Sequence, residues 1–265
     1  MPFATLAGVT LHYEERPAAP GAPTIVFANS LGTDFRIWGG VVARLPESYG
    51  IVRYDMRGHG LTDLAPAETL EANVADLAGL VEYLGLAKVV VCGLSVGGMV
   101  AQGFAKAHPD RLAGLVLCCT AAKVGTAADW NARIETVRGK GLAAMSDAIM
   151  ERWFSPAFRE AEPAILDGMV NMLVRQPAEG YAAICAMLRD TDLTADAPAI
   201  AVPTLGIAGT ADGSTPPALV GGTIDLIAGA ELHVIDGAGH IPCVERPDAV
   251  ADALVDFMTR KGLSR

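Results

Sequence analysis

Apolar and polar positions alternate from Phe3 to Glu14 around Gly8, which predicts a hairpin, and a Pro/Ala/Gly turn from Pro17 to Pro23 follows it. The pattern then changes to short, nearly continuous apolar runs at Thr24–Ala28, Ile51–Tyr54, Val89–Cys92 and Leu112–Cys119. Runs without a polar face suit strands covered on both sides, and the helical segments between them predict βαβ units around a parallel sheet. Thr204–Ala208 and Glu231–Ile235 resume this pattern, and Pro247–Arg260 reads as an amphipathic helix that closes the fold.

Between Ala121 and about Ala195 the strand signal disappears. Four helix-like segments are separated there by breakers at Gly139/Gly141, Ser155-Pro156 and Gln176-Pro177. The expected organisation is therefore an α/β core of residues 1–120 and 196–265 interrupted by an all-helical cap, 121–195. Five of the nine methionines, Met145, Met150, Met169, Met172 and Met187, fall in that insert, where helix packing is their commoner use.

With 265 residues, 51% hydrophobic and 19% charged, the chain can bury a full core. Its formal charge of −10 and lack of any basic run argue against nucleic acid or an anionic membrane as partner. The most apolar stretch, Val89 to Ala105, is interrupted by Ser95, glycines and Gln102, and no leader pattern opens the chain. A soluble cytoplasmic protein is expected. Cys92, Cys118, Cys119, Cys185 and Cys243 mostly lie inside apolar runs and are expected as reduced core thiols. The five histidines show no short ligand spacing, so neither a metal nor another cofactor is expected.

The chemistry starts at Gly93-Leu94-Ser95-Val96-Gly97, directly after an apolar strand and before a helix expected from Val96 to Ala107. Glycines on both sides let the backbone turn sharply enough to lift a serine hydroxyl above the sheet edge, the nucleophile elbow of the α/β-hydrolase fold. A serine is a weak nucleophile without a base, and in this fold an acid and then a histidine follow it. Asp212, in Gly209-Thr-Ala-Asp-Gly213, comes just after one late strand, and His240, in Gly237-Ala-Gly-His240, just after the next. The strand ending at Cys119 is followed by Thr120-Ala-Ala-Lys123, which holds no carboxylate.

A tetrahedral intermediate needs two donors, expected from the amides of Val96 and Leu31. Asn29-Ser30 stands where many members of this fold carry His-Gly, leaving open how the loop is braced. Asp55-Met-Arg-Gly-His-Gly60 resembles a recurrent motif of the fold, and we assign it a structural role, its charged groups satisfying loop backbone and one another.

Asn29-Ser-Leu-Gly-Thr-Asp34, Glu151-Arg-Trp-Phe-Ser-Pro156, Gly209-Thr-Ala-Asp-Gly-Ser-Thr215 and Gly239-His-Ile-Pro-Cys-Val-Glu245, together with the serine elbow, resemble bacterial 3-oxoadipate enol-lactonases along the whole chain. The resemblance implies hydrolysis of 3-oxoadipate enol-lactone to 3-oxoadipate in aromatic catabolism, with a small anionic lactone as partner. Such a substrate carries an acetate arm, for which Trp130 and Arg133, spaced i, i+3 on one helix, are the candidate contacts. The alternative is a solvated Arg133 paired with Glu135 or Asp129, and Arg189 is a weaker candidate. Competing functions on the same residues are a carboxylesterase or a carbon–carbon bond hydrolase of ring-cleavage products, and outside enzymes a ligand receptor.

Overall fold

Ala7 and Gly8, at φ 49° and 86°, form the two-residue turn that joins β1 (Phe3–Leu6) to β2 (Val9–Arg16). Two positive φ values in succession give the turn the twist of the strands it connects. The computed structural model describes residues 2–66 and 68–264. β2 runs antiparallel to β4 (Gly50–Tyr54), and from there β3 (Thr24–Ala28), β5 (Val89–Leu94), β6 (Leu112–Cys118), β7 (Thr204–Gly209) and β8 (Glu231–Ile235) are all parallel. The eight strands are ordered β1-β2-β4-β3-β5-β6-β7-β8. The chain therefore moves outward from β3 to β4 and crosses back to β5. The carboxyl ends of β3 and β5 flank that reversal, where open α/β sheets place their crevice.

The apolar runs of β3, β4 and β5 are buried throughout as their pattern requires, whereas β8, expected to follow the same pattern, lies at the sheet edge with Leu232 and Val234 exposed. Helices α1 (Gly39–Val42), α2 (Leu70–Tyr83) and α3 (Val96–Ala107) cover the first half of the sheet. The Thr69 hydroxyl caps α2 by accepting from the Ala72 amide. All five cysteines are free and buried.

The stretch between β6 and β7 holds five helices: α4 (Ala127–Lys140), α5 (Ser146–Trp153), α6 (Pro156–Ala161), α7 (Pro163–Val174) and α8 (Ala178–Asp190). The pattern alone gave one segment where α6 and α7 stand. The missed break is Glu162-Pro163: proline, lacking an amide hydrogen, takes the first position of α7, and Glu162 before it leaves helical geometry at φ −125°, ψ 54°. Thr126 and Asp129 close a reciprocal capping box at the start of α4. The last three helices, α9 (Pro217–Ile224), α10 (Pro242–Glu245) and α11 (Pro247–Arg260), return to the sheet. Among the described residues no helix is long and apolar enough to cross a membrane.

Candidate active site

Ser95 sits at φ 55°, ψ −117°, between the end of β5 and the start of α3. This is strained geometry for a side chain with a Cβ, and the surroundings hold it there. Its amide donates to the Cys118 carbonyl (2.9 Å), and its carbonyl accepts from the Thr120 hydroxyl (2.6 Å) and the Gly98 amide (2.9 Å). The flanking glycines are demanded by close approach: a Cβ on Gly93 would strike the backbone of Gly97, and one on Gly97 that of Ala28 and Asn29. Thr120, where the strand after the elbow offers no acid, thus braces the serine instead.

Asp212 follows β7 and His240 follows β8, so the two late strands bring them to the edge that carries Ser95. His240 Nδ1 lies 2.9 Å from Asp212 Oδ2. The other Asp212 oxygen accepts from the amides of Ser214 (2.7 Å) and Thr215 (2.9 Å), while the Thr215 hydroxyl donates to Oδ2 (2.7 Å). Burial works to raise the Asp212 carboxyl, but the charge and hydrogen bond of His240 and the donors of Thr215 outweigh it and hold the group down to about 2. Asp212 is an anion with one imidazole nitrogen fixed against it. Thr215 is a partner not anticipated, although Asp-x-Ser-Thr is a spacing at which a carboxylate collects the next backbone amides.

Ligand-type atoms of Cys119, Asp212 and His240 lie within 4.8 Å of one another. The carboxylate and imidazole are committed to each other, and contact with Cys118 together with burial pushes the Cys119 thiol well above its usual value. That is the donor chemistry of a hydrogen-bonded pair beside a core thiol rather than of a thiolate metal site.

Ser95 and His240 line one cavity of about 540 Å³, together with Ser30, Leu31, Trp130 and Arg133. Among the described residues the Ser95 hydroxyl is not hydrogen-bonded to His240, a contact that commonly tightens only with substrate in place. Leu31 is buried in the loop after β3, and Val96 is the first residue of α3, directly behind the serine. Asn29 braces that loop: its side-chain amide donates to the Tyr54 carbonyl (2.7 Å) and its oxygen accepts from Trp38 Nε1 (3.0 Å).

Arg133 pairs with neither Glu135 nor Asp129. Its guanidinium lies over the rings of Trp130 (5.7 Å) and Tyr181 (5.6 Å), and its Nε is buried without a hydrogen-bond partner. Trp130 is pinned by a 2.7 Å bond from Nε1 to the Val124 carbonyl. Arg189 instead grips Asp190 and Asn131, away from this cavity. Arg152 and Trp153, at the end of α5, also line the wall and were not singled out beforehand, although both belong to the Glu151–Pro156 string. The Trp153 carbonyl accepts from the amides of His240 (2.8 Å) and Ile241 (3.2 Å), so the insert rests directly on the histidine loop.

The charges of the Asp55–Gly60 string do not pair with one another as anticipated. Asp55 meets His12 Nδ1 (2.8 Å) and the amides of Phe35 and Leu61, whereas Arg57 forms a two-pronged pair with Asp76 (2.7 Å each). Each charge reaches across to a distant element, which sequence neighbourhood does not reveal.

Residues 20–253 match the model of the alpha/beta hydrolase family. The chain belongs to the alpha/beta hydrolase family. Within this family it is 34% identical over 240 residues to 3-oxoadipate enol-lactonase 2 of Acinetobacter baylyi, covering 90% of this chain and 89% of that protein. It is 36% identical over 239 residues to 3-oxoadipate enol-lactonase 1 of the same organism, with 89% of each chain covered. Among solved structures, the enol-lactonase from Burkholderia xenovorans LB400 superimposes with a TM-score of 0.93 at 38% identity, covering 97% of this chain and 100% of that one.

Proposed function

We propose that this hydrolase opens 3-oxoadipate enol-lactone with water to give 3-oxoadipate, using Ser95 as nucleophile, His240 as general base and Asp212 as the carboxylate that orients it. The observation that carries this reading is the cavity itself. A serine held in a strained elbow and a histidine backed by a buried carboxylate face the same space as a guanidinium that pairs with no carboxylate among the described residues.

In this mechanism His240 takes the Ser95 proton as Oγ attacks the lactone carbonyl, and the amides of Leu31 and Val96 receive the oxyanion. Collapse breaks the ring C–O bond. His240 gives its proton to the departing enol oxygen, which stays tethered to the acyl-enzyme, and relaxation of the enol to the ketone removes it as a competing nucleophile. Water activated by His240 then frees Ser95. Arg133, half-buried over Trp130, takes the acetate carboxylate; a charged hydrogen bond of this kind contributes about 1.5 to 3 kcal/mol. Residues 121–195 act as the cap that supplies this wall, over a core of 1–120 and 196–265.

Ultraviolet-monitored loss of 3-oxoadipate enol-lactone, beside a p-nitrophenyl ester and a ring-cleavage dienoate, tests the reading in wild type and Ser95→Ala. Rapid loss of the lactone that Ser95→Ala abolishes is the expected result. Preference for the ester or dienoate keeps the triad and replaces the substrate; no turnover of any of them points to a receptor.

A further inference from the structure

The mechanism needs a backbone amide at Leu31 that already faces the reaction centre before substrate arrives, because donors that must reorient during the reaction lose most of their value. Two side chains outside the triad hold the peptides on either side of Leu31. The Ser30 carbonyl accepts from both the amide (3.2 Å) and the hydroxyl (2.8 Å) of Thr33. The Ser30–Leu31 peptide is planar and trans, so fixing its carbonyl on Thr33 turns its N–H, the Leu31 amide, to the opposite side. The Gly32 amide, in the next peptide, donates to His59 Nε2 at 3.0 Å. Both bonds lie outside the strand ladders of the sheet, and they hold the peptides on either side of one residue.

His59 is built as an acceptor. It is fully buried, with the Arg57 carbonyl 3.5 Å from Nδ1, the Tyr181 ring 6.5 Å away and the Asp34 charge as a weak opposing influence. Burial draws its pKa down from 6.5 to about 4, so at neutral pH the ring is uncharged and Nε2 can take the Gly32 hydrogen. From above, Leu173 and Tyr181 of the helical insert close on Gly32: a Cβ there would lie 2.7 Å from Leu173 Cδ1 and 3.0 Å from Tyr181 Cε2. From below, the Gly97 amide of α3 donates to the Asn29 carbonyl (3.1 Å), tying the loop to the helix whose first residue is Val96.

We propose that His59 and Thr33 are positioning residues that lock the Leu31 amide as an oxyanion donor, His59 through the Gly32 amide and Thr33 through the Ser30 carbonyl. The proposal rests on the reading of Ser95 as nucleophile and Leu31 as its donor. No residue of the Asp55–Gly60 string touches the substrate in this account; His59 acts through backbone.

The test compares wild type, His59→Leu, His59→Gln, Thr33→Val and Ser95→Ala. Each is assayed for kcat and KM on the lactone and for affinity for phenylboronic acid, which forms a tetrahedral adduct on a nucleophilic serine and so reports the oxyanion site without turnover. His59→Leu removes the acceptor and is expected to lower kcat by about 10- to 100-fold with KM within about threefold, less than the 10² to 10³ lost when a donor is deleted outright. Boronate affinity should fall in step. His59→Gln, which restores an acceptor, should recover most of both, and Thr33→Val should show a smaller loss of the same kind. A folded His59→Leu and Thr33→Val that bind boronate as wild type does, whatever happens to KM, overturn the proposal while leaving the serine mechanism standing. Boronate binding that survives in Ser95→Ala overturns the nucleophile reading, and the proposal with it.

Discussion

Asp212 Oδ2 and His240 Nδ1 lie 2.9 Å apart, both atoms buried at the edge where β7 and β8 end. In the proposed mechanism the contact leaves the other imidazole nitrogen as the acceptor for the serine proton and stabilises the imidazolium formed when that proton arrives. Asp212→Asn keeps the shape but removes the charge and favours the wrong imidazole tautomer. The expected outcome is a fall in kcat of about 10⁴ with little change in KM, by analogy with the same exchange in other triads. Steady-state kinetics on the lactone check it, and a loss under tenfold would take Asp212 out of the role.

Arg133 lines the cavity with no carboxylate partner among the described residues, while Arg152 sits exposed at its rim. Arg133→Met should raise KM for the anionic lactone by about 10- to 100-fold, the equivalent of one charged hydrogen bond at 1.4 kcal/mol per tenfold. Hydrolysis of neutral p-nitrophenyl acetate should change by no more than about twofold. Arg152→Met should have a smaller effect that added salt diminishes, because solvent screens an exposed charge. Equal loss on both substrates in Arg133→Met would mean that the arginine supports the wall rather than the carboxylate.

The parts of this site that were legible in the sequence are those whose signal is local. The serine elbow announces itself because glycines, an apolar strand and a helix adjoin it, and Asp212 and His240 because each follows a late strand in a glycine loop. What was hidden depends on elements meeting from far apart. Arg133 gains its second aromatic neighbour, Tyr181, only when α8 packs on α4. His59 meets the Gly32 amide, a group every residue but proline possesses and which no residue type advertises. The Glu162-Pro163 break was missed for a different reason: apolar spacing continues across it, and proline at a first helical position restarts a helix as readily as it ends one.

Glu245 is a buried carboxylate that accepts from the Gly239 amide (2.9 Å) and from the amide and hydroxyl of Ser155, joining the histidine loop to the N-cap of α6. Glu245→Ala strands three donors in a dry site. The expected cost is about 3 kcal/mol or more, lowering Tm by about 6 to 12 °C for a chain of this size. Glu245→Gln, which keeps an acceptor but points its amide hydrogens at remaining donors, should lose less. Scanning calorimetry checks the order; an unchanged Tm in the alanine variant would show that the two segments hold together without this carboxylate.

The depressed pKa of His59 gives stability a defined pH dependence. Its folded value is about 4 against an ordinary 6.5, so between these limits the unfolded chain takes up a proton that the folded chain refuses. Stability is fully present above pH 6.5 and falls as the solution is acidified, levelling off below pH 4 at a loss of about 3 kcal/mol from this one group. Asp212, held down to about 2, contributes stability that disappears only below its ordinary 3.8, outside that window. His59→Gln cannot take up the proton. Wild type should therefore lose several degrees of Tm relative to His59→Gln between pH 7 and pH 4, with the difference settling near pH 4. A Tm difference that stays constant across that range would show that His59 protonates as freely in the folded protein as in water, and would undo the argument that it serves as a neutral acceptor for Gly32.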